Sequence, residues 1–168
     1  MISPRCLLFS GLALTLALAG CSKNSETAAD REARKAGAYS LSAADQKVVA
    51  EKFPGALQTD TGLRYIVRAP GTGTTTPRYG AQVVANYDLR LLDGTPLESS
   101  VQSGKPLNFR VGMGNVIKGW DEAFLTMKKG ERRTLIVPHW LGYGVTGSPP
   151  RIPPYATLVF EVELLDFH

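Results

Sequence analysis

A chain of 168 residues with 43% hydrophobic side chains suffices for one ordinary domain plus a tail and leaves too little material for a second. Its formal net charge of +4 is mild. Its lysines and arginines are scattered apart from pairs such as Lys128-Lys129 and Arg132-Arg133, which read as a solvated face beside a turn rather than the basic stripe a nucleic-acid partner requires.

At the N-terminus, Arg5 precedes an uncharged apolar run from Leu7 to Leu18 that closes on small residues, the pattern of a signal peptide over residues 1–20. The run is shorter than the roughly 20 residues that span a bilayer. Its end, Leu18-Ala19-Gly20-Cys21, resembles the lipobox of bacterial lipoproteins. That resemblance implies cleavage before Cys21 and lipid attached to it, with several acyl chains giving firm anchoring to the membrane. Ser22 after the cysteine favours the outer membrane of a Gram-negative cell, with the chain facing the periplasm. Cleavage removes Cys6 and excludes an intrachain disulfide. From Ser22 to Ala38 the chain is alanine, charge and small polar residues without aromatics, a tether too poor in apolar surface to order itself. Ser42 with Asp45 three residues on starts a short helix through Val48, Val49 and Phe53 that Pro54-Gly55 stops, so residues 21–56 comprise the lipidated cysteine, the tether and this helix.

Residues 57–168 form the domain. Leu63, Tyr65 and Val67 alternate with Arg64, Ile66 and Arg68 in a first strand that ends at Pro70-Gly71-Thr72-Gly73. In the next, Val83, Ala85, Tyr87, Leu89 and Leu91 share one face and Asn86, Asp88 and Arg90 the other, up to the Asp93-Gly94 turn. Trp120, Phe124 and Met127 fall at i, i+4 and i+7, one stripe of a helix with Asp121 and Glu122 in its first turn and Lys128-Lys129-Gly130 at its end. Arg133 to Val137 makes a further strand closed by Pro138, and Leu158 to Leu165 a last one. One amphipathic helix among antiparallel strands predicts an α+β fold, a twisted antiparallel β-sheet wrapped around one short α-helix. On pattern alone Trp120 reads as a core residue pointing at the sheet.

Tyr87, then Leu92-Asp93-Gly94-Thr95-Pro96-Leu97-Glu98-Ser99-Ser100, Val116-Ile117-Lys118-Gly119-Trp120, Leu141-Gly142-Tyr143-Gly144 and Ile152-Pro153-Pro154-Tyr155-Ala156-Thr157-Leu158-Val159-Phe160 follow in this order. Together they resemble the FKBP family of peptidyl-prolyl cis-trans isomerases from about Thr61 to the C-terminus. The resemblance implies that Trp120 floors an apolar pocket for a substrate proline ring, and that the Ile117 backbone N–H and the Tyr143 hydroxyl bind carbonyls of the peptide. It assigns catalytic roles to Tyr87, Glu98, Ile117, Trp120, Tyr143 and Phe160, and substrate binding to Leu97, Leu107, Val116 and Ile152. Five positions depart from the commonest family pattern. Glu98 stands where aspartate is usual, Leu97 and Leu107 where phenylalanines are common, Ser148 where histidine is frequent and Arg151 where the residue is apolar. They reshape the pocket wall and bear on catalytic efficiency and on affinity for macrolide inhibitors.

Rotation about an X–Pro bond breaks no covalent bond and needs no cofactor, metal, nucleophile or general base. The sequence is poor in such groups. His139 and His168 are far apart, His139 reading as a surface residue at a strand end. Gly112-Met113-Gly114-Asn115 lacks the third glycine and βαβ context of a dinucleotide loop and reads as a tight turn, and no nucleophile elbow surrounds Ser99-Ser100, which reads as part of a turn. The expected partners are proline-containing polypeptides that are unfolded or folding after export, and the chain is expected to be a monomer. The alternative from another class is a non-catalytic, chaperone-like binding lipoprotein that uses the same cleft.

Overall fold

The computed structural model describes residues 39–168. The expected signal peptide, Cys21 and the tether lie outside the described residues. In chain order the elements are α1 (Ala43–Lys52), β1 (Leu57–Gln58), β2 (Arg64–Ala69), β3 (Gln82–Leu91), β4 (Pro96–Ser99), α2 (Ser100–Ser103), β5 (Leu107–Arg110), α3 (Lys118–Phe124), β6 (Arg132–Val137), a 3-10 turn (His139–Leu141) and β7 (Leu158–Phe167). The strands pair antiparallel in the order β1-β2-β6-β7-β3-β4, with β5 also on β3. This is the expected antiparallel sheet, and among the described residues α2 is a short helix beyond the two the sequence predicts.

The alternation in β3 and β7 sets which face is buried. Leu135, Phe160 and Leu89 stand opposite one another across three strands, so one row of apolar side chains crosses the inner face. Register shifts between Val84 and Ala85 and between Leu89 and Arg90 bend β3, curling the sheet. Into the curl packs α3, whose Trp120, Ala123 and Phe124 are buried. It comes so close to β6 that a Cβ on Gly119 would meet Val137 Cγ1 at 2.9 Å. That approach requires glycine.

The helix is shorter than its apolar stripe predicts. Thr126 donates both its N–H (3.1 Å) and its hydroxyl (2.9 Å) to the Ala123 carbonyl, and Met127 N–H bonds Phe124 O at 3.3 Å, so the last turn tightens to i−3 bonding and α3 ends at Phe124. Met127 is fully buried from the turn beyond. Two positions differ from their sequence reading. Val67 is exposed where β2 shifts register against β6, and Arg133, expected on a solvated face, is buried against Glu131 and Thr126.

Half of β3 pairs with β5 and half with β4, because the edge strand detours through α2. Ser100 fills the resulting gap: its buried hydroxyl accepts the Tyr87 N–H at 2.8 Å and donates to Asn86 Oδ1 at 3.1 Å. Ser99, whose hydroxyl accepts the Gln102 N–H, caps α2. The serine pair is thus a backbone device at a strand–helix junction.

The short helix expected between Ser42 and Phe53 is α1, and it covers the outer face. Leu41 and Val49 pack on Ile136, Ser42 Oγ accepts the Asp45 N–H, and Asp45 Oδ2 accepts the Thr157 hydroxyl at 2.6 Å. Lys52 Nζ reaches the Asp93 carbonyl at 3.3 Å, tying α1 to the β3–β4 turn. Thr157 is buried, and its Val variant is expected to lose about 1–2 kcal/mol, the weight of a hydrogen bond to a partly solvated carboxylate. Urea unfolding followed by tryptophan fluorescence measures this loss.

Candidate active site

Strands β3, β4, β5 and β7, the start of α3 and the loop after the 3-10 turn converge on one cleft of about 90 Å³. An apolar cavity of about 150 Å³ holds benzene, so the space is on the scale of a five-membered ring. Trp120 forms the floor, 3% exposed. Tyr87 and Phe160 meet it edge-on, with ring centroids at 5.2 and 5.4 Å, and Phe109 and Phe124 support it from the core at 5.6 and 5.1 Å. Edge and tilted contacts of this kind fix the indole's orientation. Leu89, Leu107, Val116, Ile117, Glu98 and Tyr143 complete the lining.

The rim that carries Val116 and Ile117 is set by the turn before it. Asp121 accepts the N–H groups of Gly112 (2.7 Å) and Gly114 (3.0 Å) with its two carboxylate oxygens. Gly112 has a φ of +80°, and the Tyr79 ring lies where a Cβ would project, so the tight turn demands glycine there. The Ile117 carbonyl accepts from Trp120 N and Asp121 N, while its own N–H donates to no acceptor among the described residues.

Polar chemistry in the cleft rests on Tyr87, Glu98 and Tyr143. The Tyr87 hydroxyl donates to Glu98 Oε1 in a short hydrogen bond, and Arg151 Nη1 stands 3.9 Å from Glu98 Oε2. Burial first, then the hydrogen bond and negative charge of Glu98, push the Tyr87 phenol far above its ordinary range. Burial and the Glu98 charge also raise Tyr143. Both phenols therefore stay protonated as donors at neutral pH.

Eight of the ten residues expected from sequence line this cleft: Tyr87, Glu98, Leu107, Val116, Ile117, Trp120, Tyr143 and Phe160. Leu97 and Ile152 stand instead in an adjoining hollow of about 150 Å³, sharing Leu89, Glu98 and Tyr143 with the cleft. A larger hollow of about 530 Å³ runs along β3 and β4 past Asp88, Arg90 and Gln102, away from Trp120. The sequence reading missed Leu89 as a wall residue, although its place on the Tyr87 face of β3 signals it, and Phe109 beneath the indole. His139 is half-buried between the rings of Trp140 and Tyr155 rather than on the surface. Among the described residues no group of His, Cys, Asp and Glu could hold a metal ion, and no helix is long and apolar enough to cross a membrane.

The family model for FKBP-type peptidyl-prolyl cis-trans isomerase matches residues 73–165. The chain is 47% identical over 108 residues to mouse peptidyl-prolyl cis-trans isomerase FKBP4, covering 64% of this chain and 24% of the relative. It is 51% identical over 88 residues to mouse peptidyl-prolyl cis-trans isomerase FKBP2, covering 52% of this chain and 63% of that one. The chain thus spans about a quarter of the length of the first of these relatives. The crystal structure of FkpA from Escherichia coli superposes with a TM-score of 0.66 at 39% identity, over 83% of this chain and 65% of that one.

Proposed function

Because the chain belongs to the FKBP-type peptidyl-prolyl cis-trans isomerase family, we propose that it accelerates X–Pro isomerisation in exported proteins while they fold, held at the outer membrane through lipid on Cys21. The observation that carries the isomerase reading is the open, largely apolar cleft over Trp120, whose lining includes Tyr143 and an Ile117 with an N–H that finds no acceptor among the described residues. The export and anchoring reading is supported by the sequence of residues 1–21.

The chemistry follows from the amide bond. Its resonance sets a barrier of about 18–20 kcal/mol, and X–Pro bonds exchange over tens to hundreds of seconds. Water stabilises the charge separation of the planar imide, and a twisted imide has lost that separation. A ring moved from water onto Trp120, Tyr87 and Phe160 therefore gives up more in its planar state than in its twisted one. Each 1.36 kcal/mol of that difference is about tenfold in rate. Tyr143 and the Ile117 amide hold the flanking carbonyls while the imide turns. Tyr143→Phe removes one such donor and is expected to lower kcat/KM about two- to tenfold, the worth of one hydrogen bond, in a peptide isomerisation assay.

A second reading, a peptide holder that does not catalyse, is favoured by Leu97 and Leu107, which give a less aromatic wall than the common family pattern. Refolding of a protein whose slow phase is proline-limited separates the two. Catalytic amounts of an isomerase shorten that phase. A holder leaves its rate unchanged or delays it in proportion to the amount added.

A further inference from the structure

The hollow beside the proline cleft has a chemistry the cleft lacks. Its apolar floor is Leu89, Leu97 and Ile152, and Arg151 stands at its edge with a side chain 56% exposed. Ser148 and Ile152 pin the loop that carries Arg151 through two backbone hydrogen bonds, Ser148 N–H to Ile152 O at 2.8 Å and Ile152 N–H to Ser148 O at 3.0 Å. The hollow adjoins the cleft through their shared Leu89, Glu98 and Tyr143, and successive Cα atoms of a peptide lie only about 3.8 Å apart.

The two charges here are unequally engaged. Glu98 accepts the Tyr87 hydroxyl inside the cleft. The Arg151 guanidinium carries five donors, yet among the described residues its one ion-pair contact, Glu98 Oε2 at 3.9 Å, lies beyond hydrogen-bond reach. We infer that the hollow is a subsite for the side chain next to the client proline, and that Arg151 makes it favour a carboxylate. The methylenes of a client glutamate would lie on Leu97 and Ile152 while its carboxylate meets the guanidinium in the paired geometry arginine favours. Glu98 repels such a carboxylate, but its Oε1 is already engaged by the Tyr87 hydroxyl, and the net preference is that of an exposed pair. This inference rests on the isomerase reading and names its substrate class.

The test uses proline peptides that differ at the residue before the proline, and a second series differing after it, each with Glu, Gln, Lys or Leu. Catalysed exchange and binding are both read by NMR. Wild-type protein is expected to favour Glu over Gln in one series by about two- to fivefold in kcat/KM. Taken as the ratio of Glu to Gln peptide within each variant, so that any general change in rate cancels, the preference should shrink as salt rises, vanish in Arg151→Gln and turn towards Lys in Arg151→Glu. Equal rates for Glu and Gln in both series, or a preference that survives Arg151→Gln, would overturn the subsite and leave the isomerase standing if the Leu peptide is still accelerated. If no peptide is accelerated the isomerase reading falls, and the subsite is then decided by binding alone: equal affinity for Glu and Gln peptides refutes it.

Discussion

Trp120→Ala is expected to reduce catalysed X–Pro exchange by about 10- to 100-fold and to cost about 3–5 kcal/mol of stability. Both losses come from one place. The indole is in contact with Tyr87, Phe109, Phe124 and Phe160, so its removal opens a hole between α3 and the sheet as well as the floor of the cleft. Domains are stable by only about 5–15 kcal/mol, so the alanine variant must be assayed under conditions where urea unfolding shows it folded. Trp120→Phe separates the two effects, since it keeps an apolar aromatic floor and loses less packing. It should retain more activity than alanine at matched folded fraction. Full activity in folded Trp120→Ala would mean that the proline ring binds elsewhere.

Arg133→Ala is expected to cost about 3–5 kcal/mol with little change in activity per folded molecule. Arg133 Nε donates to Glu131 Oε1 at 2.6 Å, Nη1 to Thr126 Oγ1 at 2.8 Å and Nη2 to Thr126 O at 3.0 Å, and the guanidinium lies 4.8 Å from the Tyr65 ring centroid. Glu131 completes the network by accepting the Lys128 N–H at 2.9 Å. Both side chains are more than nine-tenths buried. Removing the cation leaves a carboxylate in the interior without its counter-charge, and that penalty dominates the loss. Replacing both partners, Arg133→Met with Glu131→Gln, should therefore recover much of the stability. Chemical denaturation of the two variants beside wild type decides it: a double variant no more stable than Arg133→Ala would place the cost in lost packing instead.

The inner face of β3 was readable because a half-buried strand repeats every two residues, and Val83, Ala85 and Leu89 are buried as that period requires. The same holds for Trp120 and Phe124 one helical turn apart. What local pattern could not supply were contacts made across the chain. The arginine pair Arg132-Arg133 looks uniform in sequence, but β6 alternation sends one side chain to water and the other beneath Tyr65, where Glu131 and Thr126 meet it. Asp121 reads as a first-turn acid, and only the fold brings it under the amides of Gly112 and Gly114. The docking of α1 is likewise decided by Ile136 and Thr157, far along the chain. The cleft itself was legible largely through spaced motifs. Their spacing could not separate Leu97 and Ile152 from the ring site, because that division depends on how β4 and the loop around Arg151 face each other.

The central claim is that the cleft over Trp120 accommodates a twisted imide better than a planar one. Its most direct measurement is NMR exchange spectroscopy on an Ala-Leu-Pro-Phe-type peptide with protein lacking the first 21 residues. The cis–trans exchange rate should rise in proportion to protein added at substoichiometric amounts, with the cis:trans ratio unchanged. Peptide that binds the cleft, shown by shifts at Trp120, yet exchanges at its rate in water at every protein concentration would contradict the claim.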